Sequence, residues 1–308
     1  MPLDLLVPDL LSPDTASPRP RSLEKWLARA DIEREAMPAM GWLARAFGLE
    51  DIPVAALERS ADAAPGAWMR ADPVHLRIQG DAVHLYDSSA LQVTAAEASE
   101  LVAALQSHFA CDGLEFSAPS PDRWYVRMPA GEAPRTTPLA QAIGRNVFGL
   151  LPADGRWRSA MTEAQMILSG HEVNARRESD GKLAINSTWF WGAGALPAAA
   201  GKPYSVVYAD DALTRGLGAW SGARVVPVPR AIGNVDLERA GDAILVVLHG
   251  ASRLDADERW FASLSGAIDR FERVRIILPS PTRTVVATLT GSARWRWFRA
   301  SKPLAAYA

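Results

Sequence analysis

Side chains suited to ligand binding are concentrated in one stretch of the chain, residues 163–194. Close to two tryptophans, this stretch holds Gln165, His171, Asn174, Arg176, Arg177 and Asn186. Arginine suits a carboxylate or a phosphate because its planar guanidinium donates hydrogen bonds in pairs. Glycines in the same stretch let backbone approach a ligand closely. These residues predict a polar cleft for a small anion, and a helix cap, a core histidine and a turn that only pack the chain are the alternative.

Other chemical motifs in the chain are incomplete. Ser221 lies off-centre in Gly-Ala-Trp-Ser-Gly, which therefore does not match a nucleophile elbow. His171-Glu172 begins a zinc-protease pattern, but Ala175 stands where the second histidine is needed. The sequence indicates no standard catalytic centre, and no cofactor is expected.

The bulk composition excludes several classes of function. A net charge of −2 over 308 residues gives no basic field for a phosphate backbone, so nucleic-acid binding is not expected. No apolar run approaches the length of a membrane span, so no membrane association is expected. Cys111 is the single cysteine, which suits a reducing compartment, and residues 1–13 lack the basic start of a secretory signal. We therefore expect a cytoplasmic protein.

Two local patterns predict structure before the 163–194 stretch. Alternating apolar residues on both sides of Gly80-Asp81 predict a β-hairpin in which Ile78 lies opposite Val83. Thr94 followed by Glu97 predicts a capping box at the start of a helix. Both devices depend on residues that are close together in the sequence.

After Gly201 the pattern changes to alternating buried strands and helices. Strands are predicted at 204–208, 224–228, 243–248 and 274–278, with helices at 210–220 and 257–271. This alternation predicts a parallel sheet with both faces covered, which the segment 3–7 is expected to join. The fold class is therefore α/β, with a doubly wound, mostly parallel sheet.

The 163–194 stretch resembles the cofactor-independent phosphoglycerate mutases of the archaeal type. That family's pattern runs roughly His-Pro-Val-Asn-x-x-Arg, Gly, Ala-Asn and Trp-Leu-Trp-Gly-x-Gly. The positions of this chain that match it are His171, Val173, Asn174, Arg177, Gly181, Asn186, Trp189, Trp191, Gly192 and Gly194. Glu172 and Ile185 depart from it. A weaker likeness covers most of the chain, including the segment 68–72, which resembles Phe-Arg-Cys-Asn. Within the family, the chain looks most similar to a degenerate bacterial group of regulatory proteins of the RpfE type.

This resemblance implies an alkaline-phosphatase-type core with an inserted smaller α+β domain. On this mapping the core comprises residues 1–68 and 204–308, and the inserted substrate domain comprises residues 69–203. The stretch with the strongest resemblance lies inside the inserted domain. Binding without turnover is therefore a reasonable expectation for this chain.

The resemblance also implies that the chain lacks most of the catalytic apparatus. The family uses a serine nucleophile and two divalent metals held by Asp and His. The nucleophile loop corresponds to residues 35–40, which contain no serine, and the two later ligand pairs correspond to residues 250–257 and to Pro279-Ser280. Asp9 is the single candidate for a metal ligand. We therefore predict a pseudoenzyme with no catalytic residues and no metal.

Three functional hypotheses follow from the sequence. The first is a non-catalytic regulatory protein that binds a small phosphorylated or carboxylated metabolite between core and insert. Its candidate ligand-binding residues are Arg70, His171, Asn174, Arg177, Asn186, Trp189, Trp191, Gly192 and Gly194. The second is an active metal-dependent mutase or phosphatase. The third is a protein-interaction scaffold in which the 171–194 segment only packs the chain and Trp295–Arg299 contact a protein partner.

Overall fold

The computed structural model describes residues 1–8, 10–11, 19–60, 66–129, 131, 133–198, 201–237 and 241–307. Asp9, the candidate metal ligand, lies outside these residues. The strands are β1 (Pro2–Leu6), β2 (Asp31–Glu35), β3 (Ala67–Gln79), β4 (Ala82–Tyr86), β5 (Glu115–Ser120), β6 (Arg123–Arg127), β7 (Ser187–Ala195), β8 (Val206–Tyr208), β9 (Arg224–Val226), β10 (Ile244–Val247), β11 (Arg273–Pro279) and β12 (Thr284–Leu289). The α-helices are α1 (Arg21–Arg29), α2 (Ala39–Ala46), α3 (Val54–Ser60), α4 (Ser88–Leu91), α5 (Ala95–Phe109), α6 (Leu139–Ala142), α7 (Gly155–Ser169), α8 (Glu172–Ser179), α9 (Ala212–Trp220), α10 (Arg253–Ala256) and α11 (Leu264–Ala267).

The chain divides into two compact units, one formed by Met1–Ile52 with Ala198–Ala308 and the other by Pro53–Pro197. The sequence placed residues 53–68 in the core, whereas the structure groups them with the second unit. The physical reason is α3, which packs against β3 and β7 of that unit.

The first unit contains the mostly parallel sheet that the sequence predicted. Among the described residues, its strands follow the order β2-β12-β11-β1-β10-β8-β9. Strand β1 lies between β10 and β11 and is parallel to both. Strand β12 pairs antiparallel with β11 on one side and with β2 on the other. Strand β10 is a continuous run of Ile, Leu and Val whose side chains are all buried, as expected for a parallel strand covered on both faces. The predicted α/β fold class is confirmed.

A buried charge holds the central strand of this sheet in place. Asp4 on β1 accepts a hydrogen bond from the Tyr204 hydroxyl at 2.7 Å and from Nε of Arg275 on β11 at 2.6 Å. Desolvation, followed by the Asp4 charge, raises the pKa of Tyr204, which therefore stays protonated as a donor. Because Tyr204 and Arg275 both bond to it, the Asp4 carboxylate has a structural role in the sheet.

The predicted helix at 257–271 is wrong as a single element. The structure has a π-helical turn over Asp257–Phe261, then α11, then a 3-10 turn over Ile268–Arg270. The Phe261 carbonyl accepts a hydrogen bond from the Trp26 indole at 2.9 Å. The Asp257 carboxylate accepts from the backbone N–H of Leu23 at 2.7 Å, at the start of α1. Contacts with α1 therefore accompany the irregular geometry.

The second unit is built on an antiparallel sheet. Its strand order is β4-β3-β6-β5, and β7 also pairs with β3. Helices α5 and α7 contribute Leu105 and Trp157 to a shared core, in which the Trp157 ring lies 5.4 Å from that of Phe190 on β7. This arrangement holds both ends of the 163–194 stretch, since α7, α8 and β7 all lie within the unit.

No helix within the described ranges is long and apolar enough to cross a bilayer. Cytoplasmic localisation stays a prediction.

Candidate functional site

The carboxyl edge of the parallel sheet in the first unit is the place where an α/β fold usually binds a ligand. Strand β8 ends before Asp210, β10 ends before Leu248-His249, and β11 ends before Ser280. Because these strands run parallel, the residues that follow them lie at the same edge of the sheet. This edge is therefore the first place to look for chemistry.

A cavity of about 280 Å³ lies at the ends of β8 and β10. Its charged or titratable lining residues are Asp210, Arg230, His249, Asp255 and Arg259. The Asp210 carboxylate accepts a hydrogen bond from the Val228 backbone at 3.1 Å, and Asp255 accepts from the Ser252 hydroxyl and lies 3.5 Å from Arg259. Within the described part of the chain, Arg230 and His249 form no side-chain hydrogen bond. The cavity thus presents a guanidinium and an imidazole that are available to an anion.

The donor set at these strand ends does not fit a two-metal centre. The positions that the resemblance assigns to metal ligands correspond to residues 250–257 after β10 and to Pro279-Ser280 after β11. Among the described residues, no group of three or more His, Cys, Asp or Glu side chains is close enough to hold a metal ion. Hydrolytic and transfer metals need several carboxylate or imidazole ligands around one ion, and the described residues bring no such group together.

Arg177, a predicted ligand residue, is 1% exposed and makes three hydrogen bonds within the second unit. Its Nε donates to the Leu183 carbonyl at 2.8 Å, Nη1 donates to Glu97 at 2.8 Å and Nη2 donates to the Leu91 carbonyl at 2.5 Å. Glu97 also completes the capping box with Thr94 at the start of α5. The guanidinium therefore ties the end of α8 to α4 and α5.

The side-chain amides of Asn174 and Asn186 both donate hydrogen bonds to backbone carbonyls and accept them from backbone N–H groups. The Asn174 amide donates to the Leu168 and Ile185 carbonyls at 2.7 and 2.9 Å and accepts from the Ile185 N–H at 2.7 Å. Asn186 accepts from the Leu76 N–H at 2.8 Å and donates to its carbonyl at 2.9 Å. Asn174 thereby joins α7 to the segment before β7, and Asn186 joins that segment to β3.

Arg70 lies in a buried charge cluster with Glu58, Asp72 and Trp191. Its guanidinium donates to Glu58 at 2.7 Å and to Asp72 at 2.6 and 2.9 Å, and the Trp191 indole donates to Asp72 at 2.6 Å. Although burial opposes the charge, the two carboxylates raise the pKa of Arg70. Desolvation is the largest cause that raises the pKa of Asp72 to about 6. Sequence reasoning did not single out Glu58, because its burial beside Arg70 depends on the packing of α3 against β3.

His171 and Trp189 complete the predicted set. Nδ1 of His171 accepts a hydrogen bond from the Val173 N–H at 3.2 Å and so caps α8. The Trp189 indole donates to the Thr137 carbonyl at 2.8 Å. The structure thus places every predicted residue in the second unit and gives these side chains partners there. Contact with a ligand stays a prediction.

Gly192 and Gly194 give room to α3. A Cβ on Gly192 would lie 2.9 Å from the Val54 side chain, and one on Gly194 would lie 2.7 Å from Pro53. Both residues also have positive φ, of 65° and 156°. The sequence predicted that a ligand would lie close to these glycines, and in the structure the start of α3 fills that space.

Replacing Gly192 by alanine is therefore expected to lower the free energy of unfolding by about 2–4 kcal/mol, the sum of overpacking and left-handed strain. Gly181→Ala is the matched control, because Gly181 has a φ of 71° but no atom within 4 Å of its hypothetical Cβ. Its loss should be only the backbone cost of about 1 kcal/mol. Urea denaturation of the two variants measures the difference, and equal losses would contradict the packing argument.

Comparison with known proteins agrees with this architecture. No protein-family model matches the chain. A 2,3-bisphosphoglycerate-independent phosphoglycerate mutase 2 from Methanothermobacter thermautotrophicus is 30% identical over 166 residues, which cover 50% of this chain and 41% of the relative. A probable 2,3-bisphosphoglycerate-independent phosphoglycerate mutase from Geobacter sulfurreducens is 30% identical over 192 residues, covering 59% of this chain and 47% of the relative. The chain is similar to cofactor-independent phosphoglycerate mutases. The matched stretch spans less than half the length of either of these curated relatives.

Solved structures support the fold. The PH0037 protein from Pyrococcus horikoshii superposes with a TM-score of 0.53 at 14% identity, over 95% of this chain and 88% of that one. A cofactor-independent phosphoglycerate mutase from Thermoplasma acidophilum gives a TM-score of 0.47 at 17% identity, over 94% of this chain and 90% of that one. The first of these likenesses shows a shared fold.

Proposed function

We propose that the chain is a non-catalytic relative of the cofactor-independent phosphoglycerate mutases that binds a small phosphorylated or carboxylated metabolite and acts as a regulatory protein. The observation that supports this function is the cavity at the ends of β8 and β10. There Arg230 and His249 are available to an anion, while the neighbouring strand ends carry Gly250 and Ser280. We therefore propose that the chain binds an anion and does not catalyse phosphoryl transfer.

Turnover is disfavoured on electrostatic grounds. Phosphoryl transfer requires metal ions or equivalent charge at the transferring oxygens, together with an activated nucleophile. Asp210, His249 and Asp255 line the cavity, but among the described residues they do not come together as a group that could hold such an ion. One arginine and one histidine can still bind an anion, since a guanidinium donates to two oxygens at once.

The size of the cavity favours a small ligand. At about 280 Å³ it lies at the lower limit of small-molecule sites. Asp210 and Asp255 also line it, but each already accepts a hydrogen bond within the unit. The anion is therefore expected to contact Arg230 and His249 and not these two carboxylates.

A thermal-shift titration with 3-phosphoglycerate, with and without manganese, tests the proposal on chelator-treated protein. A ligand that binds only the native state, at a hundredfold excess over its dissociation constant, stabilises it by about 2.7 kcal/mol. We expect the melting temperature to rise without added metal. We also expect Arg230→Ala to abolish the rise.

The control for this titration is Arg215→Ala, because Arg215 is an exposed arginine on α9 that does not line the cavity. A rise that requires manganese would contradict the non-catalytic proposal and favour an active mutase or phosphatase. No rise under either condition would favour the scaffold hypothesis.

The predicted ligand contacts in the 171–194 segment can be tested in the same assay. His171 is suitable for this test because its side chain is only half-buried. Its Nδ1 atom accepts the hydrogen bond from the Val173 N–H that caps α8. His171→Gln would reduce the ligand-induced shift if this segment contacts the anion. An unchanged shift, together with loss of the shift in Arg230→Ala, would assign the anion to the first unit alone.

A further inference from the structure

Three exposed aromatic side chains lie within four residues near the C-terminal end of the described chain. Trp295, Trp297 and Phe298 are 66%, 73% and 72% exposed, and the rings of Trp297 and Phe298 lie 6.5 Å apart. Burial of aromatic surface is strongly favourable, so a soluble protein rarely exposes such a cluster without a use for it. This cluster belongs to no part of the anion site proposed above.

A groove of about 700 Å³ is lined in part by Arg299, the residue that directly follows Phe298 in the chain. Strand β2 supplies Ile32 and Arg34 to one part of its lining, and the segment after Phe298 supplies Arg299, Lys302 and Tyr307. The end of α1 also lines the groove, which is therefore bounded by α1, β2 and the segment after Phe298, all in the first unit.

The groove carries an excess of positive charge. Asp31 also lines it, but its carboxylate is paired with Arg296 at 2.7 Å. Glu33 does not line the groove. Within the described ranges, Arg34 and Lys302 form no ion pair, and Arg299 bonds only to a backbone carbonyl at 3.4 Å.

Strand β2 is also an edge of the sheet. In the described strand order it pairs with β12 alone. The unpaired side of an edge strand can hydrogen-bond to an extended segment of another chain. A concave groove at a sheet edge thus suits an extended peptide, whereas a bilayer would contact a convex surface.

We propose that this surface, formed by Arg34, Trp297, Phe298, Arg299 and Lys302, binds an acidic extended segment of a partner protein. The carboxylates of that segment contact the three cations in the groove. Its apolar side chains pack against Trp297 and Phe298. Charge complementarity selects the segment, and aromatic burial supplies most of the affinity.

Fluorescence anisotropy with a labelled short peptide of alternating Glu and Leu tests this surface on the full chain. The companion peptide has Gln in place of Glu. We expect the acidic peptide to bind about tenfold more tightly than the companion and to lose this advantage as ionic strength rises. We expect Arg299→Glu with Lys302→Glu, and separately Trp297→Ser, to weaken its binding by about tenfold.

Arg215→Glu is the matched charge control, since it reverses an exposed arginine away from the groove, and Phe148→Ser is the matched aromatic control, since Phe148 is exposed in the second unit. All these residues are exposed, and circular dichroism verifies that the variants fold. Equal affinity for the two peptides, no binding of the acidic peptide, or equal losses in the control variants would overturn the proposal. Co-sedimentation with phosphatidylglycerol vesicles that is lost in Trp297→Ser, without peptide binding, would assign the surface to a membrane and also overturn it.

Discussion

Replacing Arg177 by alanine is expected to lower the free energy of unfolding by about 3–5 kcal/mol, the usual cost of removing one member of a buried ion pair. The guanidinium bonds to Leu183, Glu97 and Leu91, so its removal takes the Arg177 donor from two carbonyls and removes the cation beside the Glu97 carboxylate. Water cannot easily replace the lost donors because the side chain is fully enclosed. Urea denaturation followed by tryptophan fluorescence measures the loss.

The neighbouring arginine provides the control for this variant. Arg176 forms an exposed ion pair with Glu100, so Arg176→Ala should change stability by no more than about 1 kcal/mol. If Arg177→Ala were as stable as Arg176→Ala, the structural role of Arg177 would be refuted. A stable Arg177 variant that no longer shifts with 3-phosphoglycerate would support the ligand contact predicted from the sequence.

Replacing Arg70 by methionine should produce a similarly large loss, about 3–5 kcal/mol at neutral pH. Methionine keeps much of the side-chain volume but leaves the Glu58 and Asp72 carboxylates together in a buried site without a cation. Arg127→Met is the control, because Arg127 pairs with Glu115 on the surface at 3.2 Å. Chemical denaturation of both variants at several pH values measures the effect.

The pH dependence distinguishes lost charge from lost packing in this cluster. The pKa of Asp72 is raised from 3.8 to about 6, so its titration contributes stability that is fully present below about pH 3.8 and is lost as pH rises through about 6. Because Arg70 lowers this pKa, its removal raises the pKa further. The penalty of Arg70→Met should therefore shrink as pH falls toward about 6 and change little at lower pH. A penalty that is constant with pH would indicate a packing defect instead.

The features that the sequence predicted most sharply are local. The hairpin has the predicted register, with Ile78 opposite Val83. The capping box of Thr94 and Glu97 is present with both of its hydrogen bonds. Such devices join residues that are only a few positions apart, so their geometry follows from the backbone and residue type alone. The alternation of buried strands and helices likewise sufficed for the α/β class.

The surroundings of a side chain were much harder to predict. Ile78 is 77% exposed at the tip of its hairpin, although the alternation placed it on the apolar face. The helix predicted over 257–271 is interrupted where Asp257 and Phe261 bond to α1, more than two hundred positions earlier in the sequence. Propensity and periodicity carry no information about such distant partners.

The sequence by itself determined the fold class, the likeness to the phosphoglycerate mutases and the absence of a serine from residues 35–40. It also supplied arginines, asparagines and glycines in a pattern that suits an anion. Only the tertiary structure decided how those groups are used within the second unit. The Arg177 guanidinium is taken by Glu97, 80 residues earlier in the chain, and the space beside Gly192 is filled by Val54. Hydrogen-bonding capacity is a property of the residue, whereas its satisfaction depends on which distant groups folding brings within about 3 Å.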